Sequence, residues 1–272
     1  MRLTPSFQNG FYAPERGGRA AFPSLWRGCI GHWSMGLGPT GTTLRDQSVL
    51  RNHGTMLTMT PANAWVMKDG HYAMKFDKDD AGRIETAGLK YPDFSGFTAI
   101  SMHTRVFVLT GNPATASVVR KDGTFNLQFV SNLRVGLWAP TLTSFSTATI
   151  SFDVWYNFTF LWDNEINSST PDFFLNGVKS TYGSGASGAI TSPATNELVF
   201  GATETGDEAF NGYLQVVTFW NRKLSDREAL LLNSRPGIMD ELAPRKIYSG
   251  AAAPPAASST YSIFRPTVIG AA

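Results

Sequence analysis

The chain has 272 residues, 42% of them hydrophobic and 16% charged, with a net charge of +2 and a single cysteine. A globular chain of this length buries roughly 70–75% of its unfolded surface and needs no disulfide, and Cys29 has no second cysteine to bridge to. Composition speaks against membrane and nucleic acid as partners: no run approaches the ~20 apolar residues of a membrane span, and no Lys/Arg cluster is interleaved with aromatics.

Met1–Ser24 is punctuated by Asn9-Gly10 and Arg16-Gly17-Gly18-Arg19 and reads as an irregular arm, without the apolar centre of a secretory leader. Residues 1–60 carry net +4, residues 61–241 net −5 and residues 242–272 net +3. Basic ends on an acidic body predict arms that lie against acidic neighbours, with Arg2, Arg16, Arg19 and Arg245 among the contacts. Cys29 lies in the apolar run from Trp26 to Trp33 and is expected to fill core space. The lone thiol also fits folding in a reducing cytoplasm.

The body is a succession of predicted strands: Thr98–Leu109, Thr115–Arg120, Phe125–Val130, Arg134–Trp138, Thr147–Phe152, Trp155–Trp162, Phe173–Leu175, Val178–Tyr182, Leu198–Phe200 and Leu214–Trp220. Asp122-Gly123 and Asn176-Gly177 sit between paired runs and predict hairpins. In Trp155–Trp162, Tyr156, Phe158, Phe160 and Trp162 alternate with Asn157 and Thr159, which predicts one packed face. Asn211-Gly212 predicts a tight turn with positive φ, and the run from Tyr213 to Trp220 predicts a strand buried on both faces. Ser225-Asp226-Arg227-Glu228 fits a capping box worth about 1 kcal/mol. The helix it opens must stop at Arg235-Pro236, because the residue before proline is pushed out of the α region.

About ten strands with one late helix predict an all-β fold, a two-sheet antiparallel jelly-roll sandwich over residues 25–248, between an arm (1–24) and a tail (249–272). The tail begins as a Pro/Ala-rich linker and ends in a segment, Tyr261 to Ile269, with enough apolar character to dock through Tyr261, Phe264 and Arg265. Ordering its 24 residues would cost roughly 1 kcal/mol each. Offsetting that takes on the order of 1,000 Å2 of apolar contact, so a neighbouring subunit is expected to supply it.

The segment Phe210-Asn211-Gly212-Tyr213-Leu214, Phe219-Trp220-Asn221-Arg222, Leu224-Ser225 and Glu228 resembles the end of laminin G-like domains of the concanavalin A-like lectin/glucanase superfamily. A second string looks like the laminin G-like proteins of tailed phages. It runs from Leu25 to Trp33, through Gly38-Pro39-Thr40-Gly41, Leu44-Arg45-Asp46 and Asn52-His53-Gly54-Thr55, to Pro61-Ala62, Trp65 and Phe76-Asp77. Together they cover roughly Leu25 to Tyr248. Departures fall at Gln47–Leu50 and Lys78–Ala81, both in loops.

Glucanases of this fold carry a Glu-x-Asp-x-(x)-Glu strand, because retaining hydrolysis needs two carboxyls about 5 Å apart. None of the eight Glu residues begins that pattern. Laminin G-like relatives often bind calcium. Asp77, Asp79 and Asp80 start like a calcium loop that then lacks its bidentate Glu, and Asp207 with Glu208 forms the densest acidic cluster. Glycan binding needs an exposed aromatic platform, for which Trp65 and Trp138 are the candidates beside turn-like sequence. His53 belongs to an Asn-His-Gly turn and reads as structural.

The resemblance implies a structural component of a phage virion: a capsid decoration, fibre or tail accessory made in the host cytoplasm, anchored by its arms to other subunits as a homo-oligomer or on a capsid or tail protein. The alternative is an adhesin or lectin holding host surface glycans, and the more distant one a glycoside hydrolase. No enzymatic activity and no cofactor other than calcium is expected.

Overall fold

The computed structural model describes residues 20–86, 94–130, 132–138, 142–163, 171–181, 190 and 196–242, with the backbone alone at 132, 135–138, 142–148 and 181. Arg2, Arg16, Arg19, Arg245, Tyr261, Phe264 and Arg265 lie outside the described residues, as does the side chain of Trp138.

Sixteen strands are present among the described residues: β1 Cys29–Ser34, β2 Thr43–Leu44, β3 Gly54–Leu57, β4 Trp65–Lys68, β5 His71–Phe76, β6 Arg83–Thr86, β7 Ala99–Val108, β8 Ala116–Lys121, β9 Phe125–Phe129, β10 Asn132–Trp138, β11 Leu142–Thr149, β12 Trp155–Asp163, β13 Asp172–Leu175, β14 Val178–Thr181, β15 Leu198–Phe200 and β16 Gly212–Trp220. The first sheet has the order β14-β13-β12-β7-β16-β5-β4, and β1 adds to β16 beyond the end of β5. The second has the order β11-β10-β9-β8-β15-β6-β3-β2. All strand pairs are antiparallel, so the two-sheet sandwich expected from the sequence is the fold. The helices α1 (Pro23–Trp26), α2 (Pro61–Ala64) and α3 (Asp226–Ser234) complete it.

The main core lies between the sheets, where Trp33, Phe76, Phe94, Phe125, Phe158, Phe160, Phe173, Phe200 and Phe219 are fully buried. A second core lies on the outer face of the first sheet, where Leu25, Cys29, Leu161, Phe174 and Trp220 pack under Leu224, Ala229, Leu232, Ile238 and Met239. This corrects the expectation of one packed face on β12. Thr159 and Leu161, on its other face, are also fully buried, because α3 lies across them. Burial raises the thiol pKa of Cys29 well above its ordinary range, so it fills space as the sequence suggests.

The capping box forms: the Glu228 N–H donates to Ser225 Oγ and the Ser225 N–H to Glu228 Oε2. Arg222 grips the same carboxylate with two bonds, 2.7 and 2.9 Å, and also donates to the carbonyls of Arg27 and Ser24. The start of α3 is thereby tied to the N-terminal segment. That segment belongs to the body, since Ala20 bridges Leu242 and the Ala21 N–H donates to Glu241 O at 3.0 Å. Contacts with the body therefore reach back at least to Ala20, in the segment read as the arm.

Asp46 is fully buried and organises the loop before β3. It accepts the N–H groups of His32, Ser48 and Asn52 and the Ser48 hydroxyl, all within 2.9 Å. His53 Nδ1 accepts the Asp46 N–H, a structural role in line with its turn.

Two turn expectations part ways. Asn176 (φ 50°) and Gly177 (φ 82°) make the two-residue hairpin between β13 and β14. Asn211-Gly212 makes no such turn, because it carries the chain into a different sheet. Gly212 is the first residue of β16, and a Cβ there would lie 2.2 Å from the Phe107 carbonyl oxygen. Glycine serves close approach at 212 and positive φ at 177. The eleventh strand also differs: it spans Leu142–Thr149 beside β10, while Phe152, placed in that strand by its sequence, is 45% exposed beyond it.

Gly177→Ala has open space and only backbone strain to meet, so urea unfolding should show a loss of about 1 kcal/mol. Gly212→Ala must push two strands apart and should lose about 3 kcal/mol or more. Equal losses would contradict the close-approach assignment.

Candidate functional site

Strand register sorts the outer face of the first sheet into rows. Cys29, Trp220, Ser101 and Leu161 form a mostly apolar row beneath α3, with the Ser101 hydroxyl bonded to the backbone of Arg222 and Leu224. Next come His32, Thr218, His103 and Thr159, one from each of β1, β16, β7 and β12, all buried. The third row is Ser34, Val216, Arg105 and Asn157, and the fourth Tyr213, Phe107 and Trp155.

The polar second row is closed at both ends. His32 Nδ1 meets Thr218 Oγ1 at 2.7 Å, His103 Nδ1 meets Thr159 Oγ1 at 2.8 Å, and Asn233 of α3 donates to Thr159 Oγ1 at 2.8 Å. On the other side Asp240 takes His32 Nε2 at 3.1 Å and the Ser34 hydroxyl at 2.6 Å. Burial, helped by neighbouring His32, pushes His103 down from 6.5 to about 3, so its ring is neutral.

The fourth row is an aromatic run. Trp155 and Tyr213 each meet Phe107 edge to face, with centroids 5.4 and 5.6 Å apart. The β4–β5 hairpin turns at Asp69 (φ 50°) and Gly70 (φ 80°) and reaches back over this run. Lys68 Nζ sits 4.5 Å from the Phe107 ring centre, and Asp69 Oδ2 accepts Trp155 Nε1 at 2.9 Å.

Between the hairpin and the C-terminal turn the cover over the third row is incomplete, although Asn157 still donates to the Asn233 carbonyl of α3. A cleft of about 360 Å3 opens there, floored by Ser34, Arg105, Gln215 and Val216 and walled by His71, Gly36 and the segment from Arg235 to Glu241. A β-bulge shapes the floor. Leu214 pairs with Val106 and Val216 with Arg105, so Gln215 is an extra residue that leaves Val217 and Phe219 facing the core. Gln215 is only 9% exposed, and its Oε1 is buried without a hydrogen-bond partner. Arg105 Nε is likewise buried and unpartnered, and the guanidinium stacks 4.7 Å from the Trp155 ring. Burial lowers the Arg105 pKa, opposed by the charge of Asp69. A donor and an acceptor thus stand desolvated and unused on one floor. A larger groove of about 1060 Å3 runs along α3, but its interior polar groups are bonded: Arg222 to Glu228, and Asn233 to Thr159 and the Gly177 N–H.

The residues expected to bind ligands lie elsewhere. Trp65 is 8% exposed, and its Nε1 donates to Gly41 O at 3.0 Å. It is a core residue and offers no platform, because the sheet needs its bulk between the layers. Asp77 accepts the Asp79 N–H and a Lys75 ammonium, which hold its carboxyl below the usual range; Asp79 pairs with Lys78 at 2.6 Å. Asp80 is exposed on the same turn. Asp207 takes the Thr205 hydroxyl at 2.7 Å, and Glu208 is held by Arg120 and Ser117. The carboxylates of Asp77, Asp79, Asp207 and Glu208 thus meet protein donors, and among the described residues no group of three His, Cys, Asp or Glu side chains is placed to hold a metal. Arg105 and Gln215 escaped the sequence reading. The available signal was Arg105 itself, the one charged residue in the stretch Thr98–Leu109.

Residues 76–229, more than half of the chain, match the laminin G family model described as "Concanavalin A-like lectin/glucanases superfamily". The chain belongs to this superfamily. No curated protein matches it in sequence. Among solved structures it is similar to the receptor-binding domain of botulinum neurotoxin mosaic serotype C/D, at 11% identity and a TM-score of 0.60 over 77% of this chain and 51% of that one. The binding domain of botulinum neurotoxin DC, solved in complex with SialylT, matches at 11% identity and 0.57 over 77% and 51%. Domain 4 of an extracellular arabinanase from Geobacillus stearothermophilus, solved with arabinotriose, matches at 15% identity and 0.54, over 75% of this chain and 98% of that domain. The chain spans about half the length of the toxin domains it matches. At these identities the likeness establishes the jelly-roll fold, and the similar structures are mostly binding domains.

His103 makes stability depend on pH. Its folded pKa lies below the unfolded one, so the unfolded chain takes up a proton first as pH falls from 6.5 towards about 3. In that window the native protein should lose about 1.4 kcal/mol per pH unit from this group alone. Urea unfolding of wild type and His103→Asn across pH 4–7 should show a shallower slope in the variant; parallel slopes would refute the assignment.

Proposed function

We propose that the chain is a carbohydrate-binding module whose ligand enters the cleft between the β4–β5 hairpin and the C-terminal turn. The observation that carries this is the pair of desolvated, unpartnered groups on the floor, the Arg105 Nε donor and the Gln215 Oε1 acceptor. A sugar hydroxyl donates and accepts at once, so adjacent sugar hydroxyls suit a floor that offers one of each. The volume lies at the small end of the roughly 300–1,000 Å3 of small-molecule sites. The superfamily and the arabinotriose- and SialylT-bound neighbours support the ligand class.

The module binds without cleaving. The two carboxylates that line the cleft are engaged, Asp240 by His32 and Ser34 and Glu241 by Arg235, whereas glycoside hydrolysis needs one acid held protonated and one free. No cofactor enters the proposal, so binding should survive EDTA.

The setting we propose is the surface of a phage virion, from the resemblance of the Leu25–Asp77 string to tailed-phage proteins, with the basic ends as attachments to neighbouring subunits. Deleting residues 249–272 should lower incorporation into particles, and unchanged incorporation would overturn this setting.

On an immobilised glycan array the full chain should retain a subset of glycans. His71→Ala and Gln215→Ala should each weaken retention about ten-fold with the fold intact by circular dichroism. No retained glycan, or retention indifferent to both substitutions, would overturn the reading.

A further inference from the structure

We infer that Arg105 is an anion-recognition group and that the cleft takes an acidic sugar by its carboxylate. This rests on the carbohydrate reading and narrows it. Three observations converge on Arg105. Its guanidinium makes no hydrogen bond and no ion pair among the described residues, while the other arginine of the cleft, Arg235, is paired with Glu241. It is partly buried, so its charge is held away from water without a contacting counter-charge. A structural arginine in such a place would be expected to close on a carboxylate, as Arg222 closes on Glu228 and Arg83 on Glu85.

The geometry around it favours a planar anion. One face of the guanidinium stacks on Trp155, whose Nε1 is fixed by Asp69. Arg105 also lines the cleft, and a guanidinium stacked on one face keeps its edge donors, the fork that matches a carboxylate, free of the ring. Asp69 itself is engaged by the Trp155 indole and by Lys68 at 3.6 Å, so it supports the stack rather than neutralising Arg105. Asp240, the acid on the opposite wall, has both oxygens bonded, to His32 and Ser34. Gln215, beside Arg105 on the floor, supplies an acceptor for a hydroxyl of the same sugar.

Calorimetric titration of the full chain with trigalacturonate, with 3′-sialyllactose and with neutral lactose separates the possibilities. At low salt at least one acidic ligand should bind about ten-fold tighter than lactose, and the two acidic arms tell a uronate from a sialate. Arg105→Gln should abolish the preference, bringing the acidic ligand down to the affinity of lactose for the same variant, Arg105→Lys should keep part of it, and high salt should shrink it. Because an unpaired buried charge is removed, Arg105→Gln should also melt no lower than wild type, which guards against a folding artefact. Equal binding of acidic and neutral sugars, or an acidic preference that survives Arg105→Gln, would overturn this inference and leave the carbohydrate reading standing. No binding of any of the three, together with a blank glycan array, would overturn both.

Discussion

The structure turns on the burial of both faces of one sheet. A sandwich needs to bury only the inner face of each layer, and the outer face can stay in water. Here α3 and the C-terminal turn cover β1, β16, β7 and β12 from outside. Every polar group under that cover must then find a partner within the protein, because each orphan costs about 1–3 kcal/mol. The row from Asp240 through His32, Thr218, His103 and Thr159 to Asn233 is most of the answer: each member is bonded to a side chain in the row or to the cover above it, and His103 Nε2 is the one ring nitrogen of the row left buried without a partner. Neutral His103 follows from the same constraint, since a charge there would have no solvation.

One row further along the strands the cover is incomplete: Ser34 and Asn157 still reach Asp240 and Asn233, but Arg105 Nε and Gln215 Oε1 find no partner. Arg105 and Gln215 are as close in sequence register to the helix-covered rows as geometry allows, yet nothing in the described protein completes them. The sheet places both residues on the lining of the cleft. The extra residue at Gln215 resets the inside–outside alternation of β16, and the tight Asp69-Gly70 turn lets the β4–β5 hairpin curl back over Trp155. The result is a walled cleft on rigid strands, in contrast to a loop site, and rigid support is what a weakly hydrated guanidinium needs to keep its donors aimed.

How much of this was legible depended on whether local chemistry or tertiary context decided the residue. The Asn176-Gly177 hairpin and the Ser225–Glu228 capping box are set by a few adjacent residues, and both form as read. Gly212 carries the same dipeptide signal as Gly177, but its requirement comes from the Phe107 carbonyl, over a hundred positions away. The strands β1 to β6, two to six residues long, were passed over, whereas the equally short β13 and β14 were read because Asn176-Gly177 marks the turn between them. Trp65 and Trp138 looked like ligand platforms because they neighbour turn-like sequence, a criterion that says nothing of depth; Trp65 proves to be core. The surroundings of the acidic clusters were equally illegible, since sequence does not reveal that Arg120, Ser117, Lys75 and Lys78 meet their oxygens.

Arg105 is informative because its environment is inconsistent with a purely structural role. The strand that carries it is otherwise apolar or neutral, its row-mates are Ser34, Val216 and Asn157, and its pKa is depressed by burial. A leucine or methionine at 105 would pack against Trp155 and carry no desolvated charge, so stability alone favours replacement. Structural arginines elsewhere in this chain show what selection for stability produces: Arg222 with two bonds to Glu228 and two to backbone carbonyls, and Arg120 shared between Asp122 and Glu208. Arg105 has the stacked, pre-oriented half of such an arrangement without the carboxylate. The missing half is most simply supplied from outside the chain.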